Sequence, residues 1–296
     1  MYASIRTNTA RTSTALVAIA FALHAGGAFA QAQPAPPGYE PSVGQEGKDV
    51  VWVPTPQALV DRMLEMAKVT PSDYLIDLGS GDGRTVITAA KKGVRALGIE
   101  YNPDMVALSK RNAQKEGVTD RATFVKADIF ESDYSKATVI TMFLLDRLNL
   151  QLRPKLLNLK PGTRLVSNTF TMGEWNEDDK VNASDKEGCQ SYCVAYLWIV
   201  PAKVGGTWKM PQGELSLKQE FQMLSGHLRV GEKLLQVTDG RVRGDRVVFK
   251  AGGVEYSARA AVDTMEGTAK GGAAWTATRT RKPAPAPAPA AAPAKT

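Results

Sequence analysis

An α/β sheet with helices on both faces, followed by a small antiparallel β domain, is the architecture this sequence predicts. Three observations predict it. The apolar run Tyr74-Leu75-Ile76 leads into Asp77-Leu78-Gly79-Ser80-Gly81-Asp82-Gly83, and residues 84–92 after it are rich in helix formers. Two further apolar runs, Ala96-Leu97-Gly98-Ile99-Glu100 and Ala122-Thr123-Phe124-Val125-Lys126-Ala127-Asp128, also end in acids, with room for crossover helices between the strands. Beyond residue 210 the rhythm changes to alternating apolar and polar residues broken by glycine turns. Short apolar runs separated by helical stretches mark a buried parallel sheet, whereas strict alternation marks half-buried antiparallel strands.

The glycine loop is the centre of this organisation. A strand, a glycine turn and a helix bring backbone N–H groups and a positive helix end close to a ligand. A side chain at Gly79 or Gly81 would hold that ligand away from the backbone. A dinucleotide fingerprint reads G-x-G-x-x-G and seats pyrophosphate on the helix. Here the loop reads G-x-G-x-G after an acid. The extra carboxylate repels pyrophosphate but suits a ligand carrying an ammonium and a sulfonium, which disfavours an NAD-dependent oxidoreductase. Glu100, 23 residues beyond Asp77, stands where Rossmann-type sheets place the acid that accepts ribose hydroxyls.

These residues together resemble motif I and its companions in the class I S-adenosylmethionine (SAM) dependent methyltransferases. The resemblance implies a Rossmann-like methyltransferase sheet and SAM as cofactor. It implies that Asp77, Gly79, Ser80, Gly81, Asp82 and Gly83 pack around the methionine part, and that Asp128 meets the adenine amino group. Tyr101 and Ile129, beside the acids Glu100 and Asp128, complete the implied cofactor set. The segment Val53-Pro54-Thr55-Pro56 lies where this family carries a lid. The run Leu148-Asn149-Leu150-Gln151-Leu152-Arg153-Pro154-Lys155-Leu156, then Lys160-Pro161-Gly162-Thr163-Arg164, narrows the likeness. It is similar to the small protein-lysine methyltransferases that include the mitochondrial ATP-synthase c-subunit enzyme, over roughly residues 50 to 200, and this implies a lysine acceptor. The fourth strand ends in Phe143-Leu144-Leu145-Asp146 instead of the Asn/Asp-Pro-Pro-Tyr of many amino-methylating relatives, which argues against methylation of the exocyclic amines of nucleic-acid bases.

At 296 residues with 43% apolar content, the chain is long enough to bury a sizeable core. Arg6 and Arg11 precede an apolar run at 15–23 and an Ala28-Phe29-Ala30 cleavage pattern, which predicts a secretory signal peptide over 1–30. Export, to a periplasm in a bacterial cell, is the expected consequence. No cysteine follows the run, so a lipid anchor on cysteine is not expected, and no other segment is long enough to span a membrane. Losing the two arginines lowers the formal charge from +7 to +5. No basic run with interleaved aromatics accompanies that excess, so no specific nucleic-acid partner is expected. Cys189 and Cys193 are the only cysteines. On one strand they would stand about 13 Å apart, so a bridge requires residues 190–192 to turn, and the sequence leaves both states open. With so few cysteines and histidines, an ordinary zinc site is not expected.

In order, the prolines of residues 31–49 predict a flexible leader. Thr55 is the expected N-cap of a helix that begins with Pro56 and buries Leu59, Val60, Met63, Leu64 and Ala67. Asn102 caps the next helix, 103–114. Residues 138–144 form a fourth strand, 148–159 a helix interrupted near Pro154, and 163–170 a fifth strand. Residues 193–200 and 206–210 are read as a final antiparallel hairpin at the end of the methyltransferase domain, whose bounds are set at 50–205. A β domain over 206–281 follows, a sheet or partial barrel. Its first strand runs through Leu215, Leu217, Gln219, Phe221 and Met223, and others lie at 234–237, 241–242, 247–249, 254–262 and 274–278. A Pro/Ala tail, 282–296, is expected to be disordered or extended.

Phe143, Phe170 and Trp175 are the candidate walls of an acceptor site. Glu174 and Asp146 are candidate bases by location alone, and no catalytic base is assigned. Methyl transfer needs alignment of donor and acceptor rather than a covalent nucleophile, so the lack of a Ser-His-Asp or Cys-His set is no objection. SAM is made in the cytosol, however, and the signal sends this chain elsewhere. An exported protein that keeps the fold without catalysis is the alternative, although such a chain would be free to lose Asp77, Glu100 or Asp128. The acceptor, protein lysine or small molecule, and the oligomeric state are not legible.

Overall fold

A computed structural model describes residues 38–272 and 274–282. The expected signal peptide and nearly all of the Pro/Ala tail lie outside these residues. Helix α1 (Gln57–Met66) precedes β1 (Tyr74–Leu78), α2 (Arg84–Lys91), β2 (Arg95–Glu100), α3 (Pro103–Lys115), β3 (Ala122–Lys126), β4 (Val139–Met142), α4 (Asp146–Leu156) and β5 (Arg164–Asn168). Strands β6 (Asp179–Asn182) and β7 (Val194–Ile199) complete a seven-stranded sheet in the order β3-β2-β1-β4-β5-β7-β6. The first five are parallel, and β7 runs antiparallel between β5 and β6.

The period of two along a strand explains the two cores. Leu75 and Val139 point to the face covered by α1, α2 and α3. Their neighbours Ile76 and Ile140 point to the face covered by Leu148, Leu152 and Leu156 of α4. Asn102 caps α3 as expected, its side chain accepting from Asp104 N–H at 2.9 Å. Thr55 does not cap α1. The helix starts one residue later behind Pro56, and the Thr55 hydroxyl faces the Asn168 amide. Pro154 does not interrupt α4 either. It lies in the last turn, where the helix ends regardless.

The expected closing hairpin is also corrected. β7 takes β6 as its outer partner, and Gly206–Met210 is β8, the first strand of the second domain. The sequence Asp179-Lys180-Val181-Asn182 is too short and polar to read as a strand, which is characteristic of an edge.

Strands β8, β9 (Gly213–Glu220), β10 (Met223–Val230), β11 (Lys233–Arg243), β12 (Arg246–Ala251), β13 (Val254–Ala260), β14 (Thr264–Ala269) and β15 (Ala274–Arg281) form a closed antiparallel barrel, sealed where β15 pairs with β8. The alternation at 215–223 is two strands joined at Phe221-Gln222, and β11 is one long strand with an irregularity between Thr238 and Arg241. Trp208, Phe249, Met265 and Trp275 fill the interior. Among the described residues, no helix is long and apolar enough to cross a membrane.

The seam between the two domains is specific. Phe221 stacks on Trp175 with centroids 6.0 Å apart, and Gln222 Nε2 donates to Asn176 O at 2.7 Å. Arg241 of the barrel pairs at 2.8 Å with Asp178, whose side chain is buried.

Candidate functional site

The strand order reverses between β1 and β4, and the carboxyl ends of such strands leave a crevice. A cavity of about 390 Å³ opens there. Its floor is acidic. Asp77, at the end of β1, is buried and accepts a hydrogen bond from Thr141 Oγ1 at 2.6 Å. Burial pushes its carboxyl up to about 7, with Glu100 and Asp82 adding repulsion. Glu100, ending β2, accepts from Gly81 N–H at 3.0 Å and Asn102 N–H at 2.9 Å. Asp128, after β3, pairs with Lys48, which holds its carboxyl below the usual carboxylate range.

The glycine loop is braced from behind. Ser109 Oγ donates to Gly81 O at 2.7 Å, and Asn112 Nδ2 donates to Asp82 O at 2.9 Å. Gly81 has φ +53°, and a Cβ there would lie 2.6 Å from Trp52 Nε1. Only glycine lets Trp52 close over the loop.

Trp52 belongs to a cover that starts earlier than the sequence indicated. Residues 38–49, read as part of a flexible leader, are tied to the domain. Lys48 reaches Asp128 and stands 4.9 Å over the Tyr101 ring, Arg147 donates to Asp49 O, and Arg111 donates to Tyr39 O. Residues 45–55 line the cavity continuously, including the Val53-Pro54-Thr55 stretch of the expected lid. Arg84 fastens the cover to the loop, pairing with Asp82 at 2.6 Å and donating to Thr55 O at 2.9 Å. Prolines hid these contacts, because a charge pair 80 residues apart leaves no local signal.

Of the sequence-nominated residues, Asp77, Gly79, Ser80, Gly81, Asp82, Glu100, Tyr101, Asp128, Ile129, Phe143 and Phe170 all line the cavity. Two do not. Gly83 is the N-cap of α2 at φ +84°, where a Cβ would meet the Phe124 ring at 2.8 Å, so its role is packing. Trp175 is 1% exposed, pinned between Trp198 and Phe221 at the seam, with its backbone carbonyl accepting from Trp198 Nε1. The candidate bases also fall away. Glu174 projects into solvent against Arg153, and Asp146 accepts from the Thr171 N–H and hydroxyl.

The missing wall is Tyr192. Its ring meets Phe143 edge-on at 5.2 Å, and Phe143 stacks near Phe170 at 6.0 Å. Tyr192 arrives there because Cys189 and Cys193 are bridged, with Cα atoms 5.8 Å apart. The intervening residues turn instead of extending. The spacing of the cysteines was the available signal for this loop.

Comparisons with known proteins carry the same chemistry. The sequence model described as the ANTKMT methyltransferase domain matches residues 77–179. A protein-lysine N-methyltransferase of Saccharolobus islandicus is 47% identical over 154 residues, which are 51% of this chain and 94% of that protein. This chain belongs to the family of that protein, among the SAM-dependent methyltransferases. The human enzyme that methylates lysine in the ATP-synthase c-subunit (Homo sapiens) is 34% identical over 128 residues, 43% of this chain and 54% of that enzyme. A solved RNA methyltransferase of Salinibacter ruber, in complex with S-adenosyl-L-homocysteine, is 47% identical with a TM-score of 0.48, covering 51% of this chain and 96% of that one. The methyltransferase thus spans nearly all of the Saccharolobus protein and about half of the human enzyme.

The cavity of this methyltransferase fits SAM by the chemistry of its donors. Among the described residues, buried Asp77 has the Thr141 hydroxyl as its hydrogen-bond partner and the acids Glu100 and Asp82 as its charged neighbours, a setting matched to an ammonium. Asp77, Glu100 and Asp128 on one wall are matched to a cationic ligand with hydroxyl and amino donors, and would repel a pyrophosphate.

Proposed function

We propose that this methyltransferase transfers the methyl group of SAM to a protein lysine, and does so outside the cytosol. The observation that carries the acceptor reading is the aromatic mouth of Phe143, Phe170 and Tyr192 on an otherwise acid-floored cavity. The Saccharolobus and human relatives, both lysine N-methyltransferases, support it.

When bound, SAM supplies a methyl group activated by a sulfonium. Asp77 holds the ligand's ammonium, Glu100 the ribose hydroxyls and Asp128 the adenine amino group. Gly81 lets Trp52 close over the loop, and Tyr101 and Ile129 would flank the ligand. Trp52 and the rest of the cover exclude water, which strengthens these charge-assisted contacts. The three rings take the alkyl stem of a lysine, and drying its amine lowers the pKa towards the neutral, nucleophilic form. The proton is lost to solvent before transfer, so no positioned carboxylate base is required.

The signal-peptide pattern supports export, and so does the disulfide, because such bridges persist mainly in oxidising compartments. Both halves are testable. Full-length chain incubated with methyl-labelled SAM and cell-envelope extract should label protein, with label released as methyl-lysine on acid hydrolysis. Label that survives protease but is lost to nuclease would overturn the lysine acceptor. Terminal sequencing of the chain purified from its native host should begin at Gln31; an intact Met1 would overturn export.

A further inference from the structure

The Tyr192 loop is built as a clamp with a fixed base and a strained tip. At the base, Cys189 is fully buried and Cys193 partly so, both packed in the core beneath α1. Cys193 O accepts from Ala183 N–H at 2.9 Å. Just ahead of the loop, Glu187 pairs with Arg62 of α1 at 2.7 Å. At the tip, Tyr192 has φ +54°, a left-handed conformation that is costly for a bulky residue. It is 43% exposed, and among the described residues its hydroxyl has no hydrogen-bond partner. Its ring still stands against Phe143 and lines the cavity. A half-exposed ring on a strained backbone keeps one position only where its surroundings over-determine it, and here the covalent ring of residues 189–193 does so.

We propose that the Cys189–Cys193 bridge completes the acceptor site by holding Tyr192 as its third wall, so that acceptor binding depends on the bridge and SAM binding does not. This rests on reading the aromatic mouth as the lysine site. The acids of the cavity stand on β1 and β2 and after β3, apart from the loop, so the reduced chain keeps its donor half. The redox step balances. The Cys189 and Cys193 thiols pass two electrons and two protons to a disulfide of an oxidising partner; one S–S bond forms as the other breaks, and the partner leaves as a dithiol. The newly made, reduced chain therefore binds SAM with an unfinished acceptor site, and gains that site where thiols are oxidised. Tyr192 acts as a positioning residue for the acceptor.

The test compares the oxidised full-length chain with the same chain reduced by a phosphine and with the Cys189→Ser/Cys193→Ser variant, using poly-L-lysine as acceptor probe. Without the bridge, KM for poly-L-lysine should rise about tenfold or more, the loss of one well-placed aromatic contact. The affinity for S-adenosyl-L-homocysteine, read by calorimetry, should stay within about twofold because the acids of the cavity stand on β1 and β2 and after β3, not on the bridged loop. Hydrogen exchange should accelerate in residues 189–194 and remain unchanged in residues 77–83. In the oxidised chain, Tyr192→Ala should copy the KM defect, Tyr192→Phe should retain activity, and removing the bridge from Tyr192→Ala should add nothing. An active enzyme whose KM ignores the bridge overturns the proposal. So does a loss of homocysteine-ligand affinity equal to the loss of acceptor affinity, which would make the bridge a general staple. An oxidised enzyme that binds S-adenosyl-L-homocysteine yet leaves poly-L-lysine unmethylated overturns the lysine reading itself, a distinct result.

Discussion

The parallel sheet and the barrel solve the same problem of burying apolar side chains, but the sheet opens its strand ends onto an acid-lined cavity whereas the barrel fills its interior with side chains. In the sheet, the order reverses at the paired neighbours β1 and β4, and Asp77, Glu100 and Asp128 gather at the strand ends around the cavity. In the barrel, eight strands close on themselves, and Trp208, Phe249 and Trp275 occupy the interior. An eight-stranded barrel is just wide enough to be filled by side chains. The difference teaches where chemistry is permitted. The open edge of the sheet tolerates a buried carboxylate for the sake of a ligand, and the barrel has an ordinary core. At the seam, buried Trp175 packs against the partly buried Phe221, and the buried Asp178 carboxylate is paired with the partly exposed Arg241.

Breaking this contrast at its sharpest point means replacing Asp77. Asp77→Asn should lower SAM affinity by about a hundredfold or more, through loss of a charge-assisted, buried partner. It should also stabilise the ligand-free protein. The folded carboxyl sits at about 7 against 3.8 unfolded, so the native state binds the extra proton and stability falls as pH rises through that window. The penalty is complete above about 7 and absent below about 4, and amounts to at most about 4 kcal/mol. Melting curves at pH 8 should show the variant gaining stability, with the gain vanishing near pH 4. An unchanged SAM affinity in calorimetry would remove Asp77 from the donor site.

The seam offers the next largest effect. Trp175→Ala should cost about 3–5 kcal/mol in denaturant unfolding, as expected for a buried tryptophan, while leaving SAM affinity and acceptor KM of the folded fraction as they were. A selective rise in acceptor KM would return Trp175 to the mouth of the cavity. Among the described residues, Arg241→Ala leaves the buried Asp178 carboxylate with the Ile199 N–H alone, at a cost of about 2 kcal/mol, read as a lower unfolding midpoint. Smallest is Lys48→Ala. Its ammonium is solvent-facing, so SAM affinity should move by no more than about threefold. A thirtyfold loss by calorimetry would make Lys48 a direct ligand rather than a tether of the cover.

Much of the donor half was legible in the sequence because its determinants are local. Asp77, Gly79, Ser80, Gly81 and Asp82 are consecutive or nearly so, and a strand followed by a glycine turn and a helix reads directly from residue types. Glu100 and Asp128 repeat the strand-end pattern. Residue type alone did not separate Gly83 from its neighbours, since a helix cap and a ligand cradle both favour glycine.

By itself, then, the sequence determined the α/β architecture, the acid-floored glycine loop and a second domain of antiparallel strands, because period and spacing act over a few residues. Tertiary structure decided the rest. Whether Trp175 faces a substrate or a neighbouring domain depends on Phe221, 46 residues away. Whether residues 38–49 are free or fastened depends on Asp128 and Arg147. Closure of the barrel depends on β15 finding β8. Tyr192 joins Phe143 only because a covalent bridge bends the chain back. Each of these is a contact between distant segments, and such contacts are set by packing and charge pairing in three dimensions rather than by any local pattern.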